Sequence, residues 1–242
     1  MQDVIYIKNF SFKYTNKLVL KDINLSVCEG KCLGIVGKNG SGKTALINCI
    51  IGELKGDGEV KVFNMKPNIY SSKFKYNIGV VLDDDILIDY LTLNEYLNYI
   101  GKLFGISNTE IEQRINYWLD FFELNESRDR ILKFFSHGMR KKTQIIASLI
   151  HNPKLLIIDE PTNGLDIEMI YVLKEALIKL KKSGLTIIVS THILSFIEDI
   201  CDDVIIIHEG LIKKNIKLNS KEKNYNLEKV LINEIINVGD LQ

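Results

Sequence analysis

The chain has 242 residues, of which 46% are hydrophobic and 26% charged, a composition that excludes a disordered protein and favours one globular domain with lobes. Lysine plus arginine and aspartate plus glutamate are equal at 31 each, so the net charge gives no reason to expect a nucleic-acid partner. The amino-terminal residues lack a signal-peptide pattern and no apolar run approaches the length of a membrane span, which together predict a cytoplasmic protein.

Short strands dominate the first part of the chain. Residues 4–14 alternate with the period of a half-buried strand, and residues 18–20 and 25–27 are two further strand candidates. Another strand is expected at 59–63, after a glycine turn. Several short strands on both sides of one helix predict a small antiparallel β-lobe attached to an α/β core.

The segment CLGIVGKNGSGKT at residues 32–44 contains the phosphate-loop pattern G-x-x-x-x-G-K-[ST]. Apolar residues suited to a buried strand precede it, and a helix-compatible apolar segment follows it. Its glycines let the backbone adopt positive φ and approach a phosphate chain, so that successive N–H groups form an anion-binding concavity. The pattern predicts nucleoside triphosphate binding by Gly37, Lys38, Asn39, Gly40, Ser41, Gly42, Lys43, Thr44 and Ala45.

Two side chains of this loop have specific predicted roles. Lys43 is expected to place a positive charge on the β- and γ-phosphates of ATP during catalysis. The Thr44 hydroxyl is expected to supply one hard oxygen ligand to Mg²⁺. An ordinary glycine-rich turn is the alternative interpretation, which the flanking strand and helix disfavour.

A helical lobe is predicted over about residues 88–150. It follows a buried strand at 78–82 and an acidic run at 83–85. The patterns Thr92-x-x-Glu95 and Ser107-x-x-Glu110 are both capping boxes that open helices. Aromatic residues recur in these helices at the burial period, so we expect core packing and not a ligand site.

The remaining sequence returns to alternating strands and helices. A polar carboxy-terminal extension is expected over 215–242, with one weak amphipathic segment at 227–236. The predicted fold is therefore α/β: a P-loop NTPase core with a mixed, mainly parallel sheet, the amino-terminal antiparallel β-lobe and the inserted helical lobe, all within residues 1–214. The predicted elements are strands at 155–158 and 186–190, helices at 169–182 and 193–201, and a terminal hairpin at 204–208 and 211–214.

Five ordered motifs give the chain its resemblance to the ATP-binding cassette (ABC) ATPases. After the phosphate loop, FSHGM at 135–139 resembles the signature motif, and DEPT at 159–162, NGLD at 163–166 and STH at 190–192 follow in the family's order. The resemblance covers about residues 3–214. It implies an ATP-hydrolysing subunit that forms a homodimer or pseudo-dimer around ATP and drives an integral membrane permease at the inner face of the cell membrane.

The resemblance also implies individual roles for site residues. Asp159 would lie beside Mg²⁺, Glu160 would act as the general base, and His192 would contact the γ-phosphate. Ser136 and Gly138 would contact the γ-phosphate bound by the opposite subunit of a head-to-tail dimer. The alternatives are a polar strand end before a proline turn, a lone histidine at a strand end and a simple serine N-cap.

Charges around two helix starts give further predictions. Arg140, Lys141 and Lys142 crowd the first turn after the signature motif, where the helix macrodipole disfavours cations. An anion held nearby would explain this placement, and a solvated basic face is the alternative. Asp166 is expected to cap the following helix.

Two positions leave the interpretation open. Tyr14 stands where the family places an aromatic ring on adenine, but the alternation of Phe10, Phe12 and Tyr14 fits a plain strand face equally well. Asp83 stands where the family usually has Gln or Glu beside Mg²⁺. Either Asp83 reaches Mg²⁺ through an extra water, or Asp84 substitutes, or hydrolysis is weakened.

The leading function by resemblance is an ABC-transporter ATPase. Met139 in place of the more usual Gln, together with the lack of a long carboxy-terminal domain, resembles single-cassette exporters linked to drug, antibiotic or bacteriocin resistance. One alternative is a weakly hydrolysing, nucleotide-dependent regulatory protein, which Asp83 motivates, and a second is a soluble ABC protein.

Overall fold

The computed structural model describes residues 3–84, 86–218 and 227–235. Asp85 and most of the predicted carboxy-terminal extension lie outside these residues. The strands are Asp3–Tyr14 (β1), Lys17–Cys28 (β2), Cys32–Val36 (β3), Asp57–Val62 (β4), Ile78–Val81 (β5), Leu155–Asp159 (β6), Thr186–Ser190 (β7), Asp203–His208 (β8) and Leu211–Lys217 (β9). The helices are Lys43–Ile51 (α1), Ser72–Lys75 (α2), Leu93–Leu103 (α3), Asn108–Phe121 (α4), His137–Leu149 (α5), Ile167–Lys182 (α6), Leu194–Ile200 (α7) and Leu227–Ile235 (α8).

A six-stranded sheet forms the centre of the fold, with the strand order β5-β6-β7-β3-β8-β9. Its first five strands run parallel and β9 pairs with β8 in the antiparallel direction. Alternate side chains of each strand enter two separate cores: Ile157 packs towards α1 and the amino-terminal strands, and Ile158 towards the helices on the other face. Because both faces are covered, the central strands β3, β6 and β7 are buried along their whole length and are mostly apolar, as expected of a parallel sheet.

The amino-terminal β-lobe is a three-stranded antiparallel sheet with the order β2-β1-β4. The two strands predicted at 18–20 and 25–27 are in fact one twelve-residue strand, β2. The apolar pattern of this strand is interrupted at Asp22. This residue has φ +47° and lies at a shift in the pairing register between β1 and β2. A bulge therefore bends this strand where the sequence pattern predicts a break.

The helical lobe lies between β5 and β6, with α3 and α4 packed against each other. The capping box of Thr92 and Glu95 is complete, whereas Ser107 accepts from the Glu110 N–H and the Glu110 carboxylate pairs with Arg114. Two predicted core aromatics, Tyr96 and Phe122, are buried, but Tyr99 is 46% exposed. Among the residues with a described structure, no helix is both long and apolar enough to cross a membrane.

The carboxyl ends of four neighbouring strands, β5, β6, β7 and β3, meet at one edge of the sheet. The phosphate loop follows β3, and the last residues of β6 and β7 are Asp159 and Ser190. In open α/β sheets this edge is where ligands bind. The fold thus gathers the predicted site residues from distant parts of the sequence.

Candidate functional site

The phosphate loop owes its shape to glycines with two different requirements. Gly40 and Gly42 have φ of +79° and +113°, a left-handed backbone that strains other residues. Gly37 does not have the predicted positive φ; a Cβ there would lie 2.4 Å from the Ile207 carbonyl oxygen and 2.5 Å from Ser41 Oγ. Gly37 is therefore required by close packing, whereas Gly40 and Gly42 are required by conformation.

The loop borders a cavity of about 440 Å³, here called the phosphate-loop cavity. It brings together residues from the β-lobe, the loop, the hinge after β5 and the ends of β6 and β7. The lining residues are Tyr14, Val19, Asn39, Gly40, Gly42, Lys43, Thr44, Ala45, Asp83, Glu160, Asn163 and His192. The predicted residues Gly37, Lys38 and Ser41 belong to the same loop but do not line the cavity, and Asp159 lies behind Thr44.

Lys43 and Glu160 form a buried ion pair across this cavity. The Lys43 Nζ lies 3.1 Å from Glu160 Oε1 and donates a hydrogen bond to the Gly37 carbonyl at 2.9 Å. Both residues are less than 10% exposed, so their charges interact in a medium that screens weakly. Glu160 has φ +46°, a strained conformation that is held by its N–H bond to the Ser190 carbonyl.

Asp159 is 1% exposed and its two oxygens accept from hydroxyl groups on both sides. Thr44 Oγ1 donates to Oδ2 at 2.7 Å, and Ser190 Oγ donates to Oδ1. Ser190 was not among the predicted site residues, although it ends β7 directly opposite Asp159 in the β6–β7 register. The available signal was that both residues close buried strands, but the strand order needed to pair them is not readable from the sequence.

The chemistry of Thr44 and Asp159 fits Mg²⁺. Within the described ranges no group of three or more His, Cys, Asp or Glu residues could hold a metal ion. Mg²⁺ does not need such a cage, since it retains waters and takes one or two protein oxygens together with substrate phosphates. One carboxylate and one adjacent hydroxyl at the end of the phosphate loop match that requirement.

His192 joins the cavity from the end of β7. Its Nδ1–H donates to Glu160 Oε2 at 3.1 Å, and its side chain is 57% exposed. This contact occupies Nδ1 and leaves Nε2 as the nitrogen that can meet a ligand. Glu160 thus contacts Lys43 through one carboxylate oxygen and His192 through the other.

Asp83 reaches the cavity from the hinge after β5. Its Oδ1 accepts from Asn163 Nδ2 at 3.0 Å, so the amide of the next motif holds this carboxylate at the cavity rim. Asp84 instead lines a different cleft, and its carbonyl accepts from Gln144. Asn163 was missed as a site residue, because the contact depends on how the hinge and the loop before α6 pack together.

Tyr14 leaves the strand face to which Phe10 and Phe12 belong. Those two rings are 3% and 6% exposed, whereas Tyr14 is 50% exposed at the rim of the cavity. A register shift between Phe12 and Lys13 changes the direction of the strand there. The Tyr14 ring packs edge-on against the Phe12 ring, with 4.7 Å between the ring centroids. The contact of Tyr14 with adenine stays a prediction.

The signature residues Ser136 and Gly138 lie outside the phosphate-loop cavity. Ser136 is an exposed N-cap of α5 and accepts from the Met139 N–H at 3.3 Å. Gly138 is in van der Waals contact with α6, since a Cβ on it would lie 3.1 Å from Met169 Cε. Neither residue lines the phosphate-loop cavity of its own chain. The predicted cap at Asp166 is confirmed by its bond from the Met169 N–H at 2.8 Å.

For the basic run after the signature motif, the solvated-face alternative is wrong, and the nearby anion stays a prediction. Arg140 donates to the Leu132 carbonyl and pairs with Asp89, Lys142 donates to the Phe122 carbonyl, and Lys141, which is 2% exposed, donates to the Leu82 carbonyl. Partial burial lowers the pKa of Lys142. Carbonyl groups of the lobe and hinge, together with the Asp89 carboxylate, therefore receive these cations within the fold.

A phosphate loop between a parallel strand and a helix, with carboxylates at the end of the neighbouring strand, defines the class of P-loop nucleoside triphosphatases. The family model described as ABC transporter matches residues 20–163. The ABC transporter ATP-binding protein NatA of Bacillus subtilis (strain 168) is 35% identical over 193 residues, which are 79% of this chain and 78% of that protein. The Nod factor export ATP-binding protein I of Ralstonia nicotianae is 30% identical over 208 residues, 86% of this chain and 65% of that protein.

Solved structures agree with this assignment. The ATP-binding subunit of an ABC transporter superposes with a TM-score of 0.87 at 29% identity, covering 96% of this chain and 99% of that one. A dimeric ATP-binding cassette in a post-hydrolysis state with ADP and Pi gives a TM-score of 0.80 at 26% identity. The superposition covers 89% of this chain and 99% of that one. The chain belongs to the ABC transporter family and is an ABC-type ATPase.

Proposed function

We propose that two copies of this chain close around two ATP molecules, and that hydrolysis reopens them to drive a separate membrane permease. One observation carries the proposal. Lys43, Glu160 and His192 line the phosphate-loop cavity, whereas Ser136 stands exposed outside it. A second copy that brings its Ser136 and Gly138 to the open cavity would complete the site, and the dimeric cassette with ADP and Pi supports such an arrangement.

Each residue of the cavity has a defined task in hydrolysis. The N–H groups of the phosphate loop and Lys43 bind the β- and γ-phosphates, and the Tyr14 ring stacks on adenine. Thr44 and Asp159 would hold Mg²⁺, which would supply charge neutralisation on the phosphate oxygens. Asp83 lines the same cavity and would reach the metal through a water.

Glu160 acts as the general base for the attacking water. Its carboxylate bridges Lys43 and His192, the two side chains assigned here to the γ-phosphate. ATP draws the Lys43 ammonium towards its phosphates, and one Glu160 oxygen is then able to accept a proton from water. His192 keeps the other oxygen oriented and offers its Nε2 to the γ-phosphate.

The permease partner is supported by a second, apolar cavity of about 320 Å³, here called the hinge cleft. It lies between the edge strand β5 and the helices α3 and α5, and Ile86 at its rim is 70% exposed. Exposed apolar surface of this kind marks protein interfaces. A permease segment seated there would hold the chain at the inner face of the cell membrane and press on the hinge next to Asp83.

Export is the direction of transport that we propose. The similarity to a Nod factor export protein supports it, as does Met139 in the signature motif. The membrane partner would determine the substrate, because the phosphate-loop cavity is built for a nucleotide.

The general-base assignment is tested by phosphate release from purified Glu160→Gln. We expect turnover to fall by about 10²–10⁴-fold while ATP still binds, since the amide cannot accept the proton but keeps the shape of the side chain. The matched control is Glu168→Gln, an exposed carboxylate on α6, which should hydrolyse like the wild type. Equal rates for Glu160→Gln and the wild type would disprove the assignment, and negligible hydrolysis by the wild type itself would favour the weakly hydrolysing alternative.

The permease contact is tested in membranes of the native host. Ile86→Lys should leave ATP hydrolysis unchanged and remove the protein from the membrane fraction, because a charge at the rim of the hinge cleft opposes apolar docking. The control is Tyr117→Lys. Tyr117 lies on α4 and is 59% exposed, and this variant should stay membrane-associated. Retention of Ile86→Lys at wild-type levels would contradict docking at this cleft.

A further inference from the structure

Three residues from separate motifs are connected by side-chain hydrogen bonds. His137 Nε2–H donates to the Asn163 carbonyl at 2.9 Å. The Asn163 side chain in turn donates through Nδ2–H to Asp83 Oδ1 at 3.0 Å. The path therefore runs from the first residue of α5, through the loop before α6, to the hinge after β5.

Packing holds the first contact in place. Gly164 has φ +69°, and a Cβ on it would lie 2.8 Å from His137 Cδ2 and 2.9 Å from Nε2. The imidazole thus lies directly against the backbone that carries Asn163. The Asn163 N–H also donates to the Glu160 carbonyl at 3.3 Å, so the loop is anchored to the residue that bears the catalytic carboxylate.

The two ends of this path belong to different places in the proposed dimer. His137 directly follows Ser136, which lies outside the cavity of its own chain, whereas Asp83 lines that cavity. The His137 bond ties the start of α5 to the Asn163 backbone, so a displacement of one would act on the other. Asp83 is exposed, and the amide of Asn163 is the group that fixes its carboxylate at the rim.

We propose that His137 is a positioning residue that links the signature tip to the chain's own hydrolytic site through Asn163 and Asp83. The inference rests on the proposed two-site function. Contact of Ser136 with the nucleotide of a second copy sets the position of α5, and the His137–Asn163–Asp83 path passes this position to the cavity rim. Asp83, which stands where Gln or Glu is usual, then serves as the receiving end of the path.

A double-mutant cycle on steady-state hydrolysis tests the path. His137→Leu removes the donor and should lower kcat by about 3- to 10-fold, the range that one net hydrogen bond supports, with KM for ATP unchanged. His137→Gln retains a donor of similar reach and should restore most of kcat, a rescue that a merely structural role does not predict. Asn163→Ala keeps the backbone carbonyl but removes the amide, and should match His137→Leu.

Asp83→Ala completes the cycle. If the path exists, the double variant His137→Leu with Asp83→Ala should be no slower than Asp83→Ala alone, because both changes break the same connection. Independent, multiplied losses would overturn the proposal, and so would a wild-type kcat in His137→Leu. The two-site function is tested separately, by whether the protein dimerises with ATP. Multiplied losses in a protein that still dimerises and hydrolyses ATP would therefore reject the path alone.

Discussion

Glycines of the phosphate loop illustrate how single residues set the site. At Gly37 the obstacle to a side chain is the Ile207 carbonyl, a backbone atom of the neighbouring strand β8 that cannot move aside. At Gly40 no atom lies within 4 Å of a would-be Cβ, and only the left-handed backbone opposes substitution. The same residue type thus serves close packing in one place and conformation in the other.

The two glycines should respond differently to alanine. Gly37→Ala should abolish ATP binding, because the loop must shift to relieve contacts of 2.4 and 2.5 Å. Gly40→Ala should weaken binding only moderately, since strain at one positive-φ position costs about 1–3 kcal/mol. Titration with a fluorescent ATP analogue measures both, and tighter binding by Gly37→Ala than by Gly40→Ala would refute the packing explanation.

Sequence patterns predicted the site residues that belong to motifs. They missed the residues whose role depends on a contact with a residue distant in the sequence. Lys43, Thr44 and Glu160 are predicted by their motifs alone, and all three line the phosphate-loop cavity. Ser190 and Asn163 act through contacts with Asp159 and Asp83, which depend on strand order and loop packing. The solvated-face interpretation of the basic run failed for the same reason, since the carbonyl partners of these side chains lie 8 to 59 residues away in the sequence.

Among the elements, buried strands were the most readable. The runs that form β3, β6 and β7 are mostly apolar and buried throughout, as expected of strands covered on both faces. The bulge in β2 was not readable, because a polar residue inside a strand and a polar residue in a turn look alike in sequence. The order of the strands also required the structure, since local periodicity does not encode which strands are neighbours.

The start of β5 and the end of α5 are joined by a buried histidine. His151 Nε2–H donates to the Ile78 carbonyl at 2.9 Å. Its ring stacks on the Phe104 ring, with 3.9 Å between the ring centroids. Burial, and then the nearby Arg114, lower the pKa of His151 below its ordinary value of 6.5, against the opposing effect of the Ile78 bond. The imidazole is therefore neutral in the folded chain at pH values where the unfolded chain begins to bind a proton.

This shift predicts a pH-dependent stability. As the pH falls through about 6.5, the unfolded state takes up a proton that folded His151 does not, so the free energy of unfolding decreases by up to about 1.4 kcal/mol per pH unit. His151→Gln should show a smaller decrease between pH 7.5 and 5.5. Urea unfolding at several pH values measures the difference, and identical pH slopes for the two proteins would contradict the assignment.

The described part of the chain is built on one central sheet between two cores, with the β-lobe, α1 and α2 on one face and α3 to α7 on the other. This arrangement exposes the phosphate-loop cavity on one part of the surface and the Ser136 tip on another. A single copy therefore cannot bring both to the same nucleotide. The account of this protein depends on a second copy that does.

The molar mass of Glu160→Gln in solution, measured by light scattering with and without ATP and Mg²⁺, tests that claim most directly. We expect the single-chain mass without nucleotide and twice that mass at saturating ATP, because blocked hydrolysis leaves the closed pair intact. A companion protein that also carries Ser136→Arg should keep the single-chain mass. A single-chain mass for Glu160→Gln with ATP bound, in a protein whose wild type hydrolyses ATP, would contradict the account.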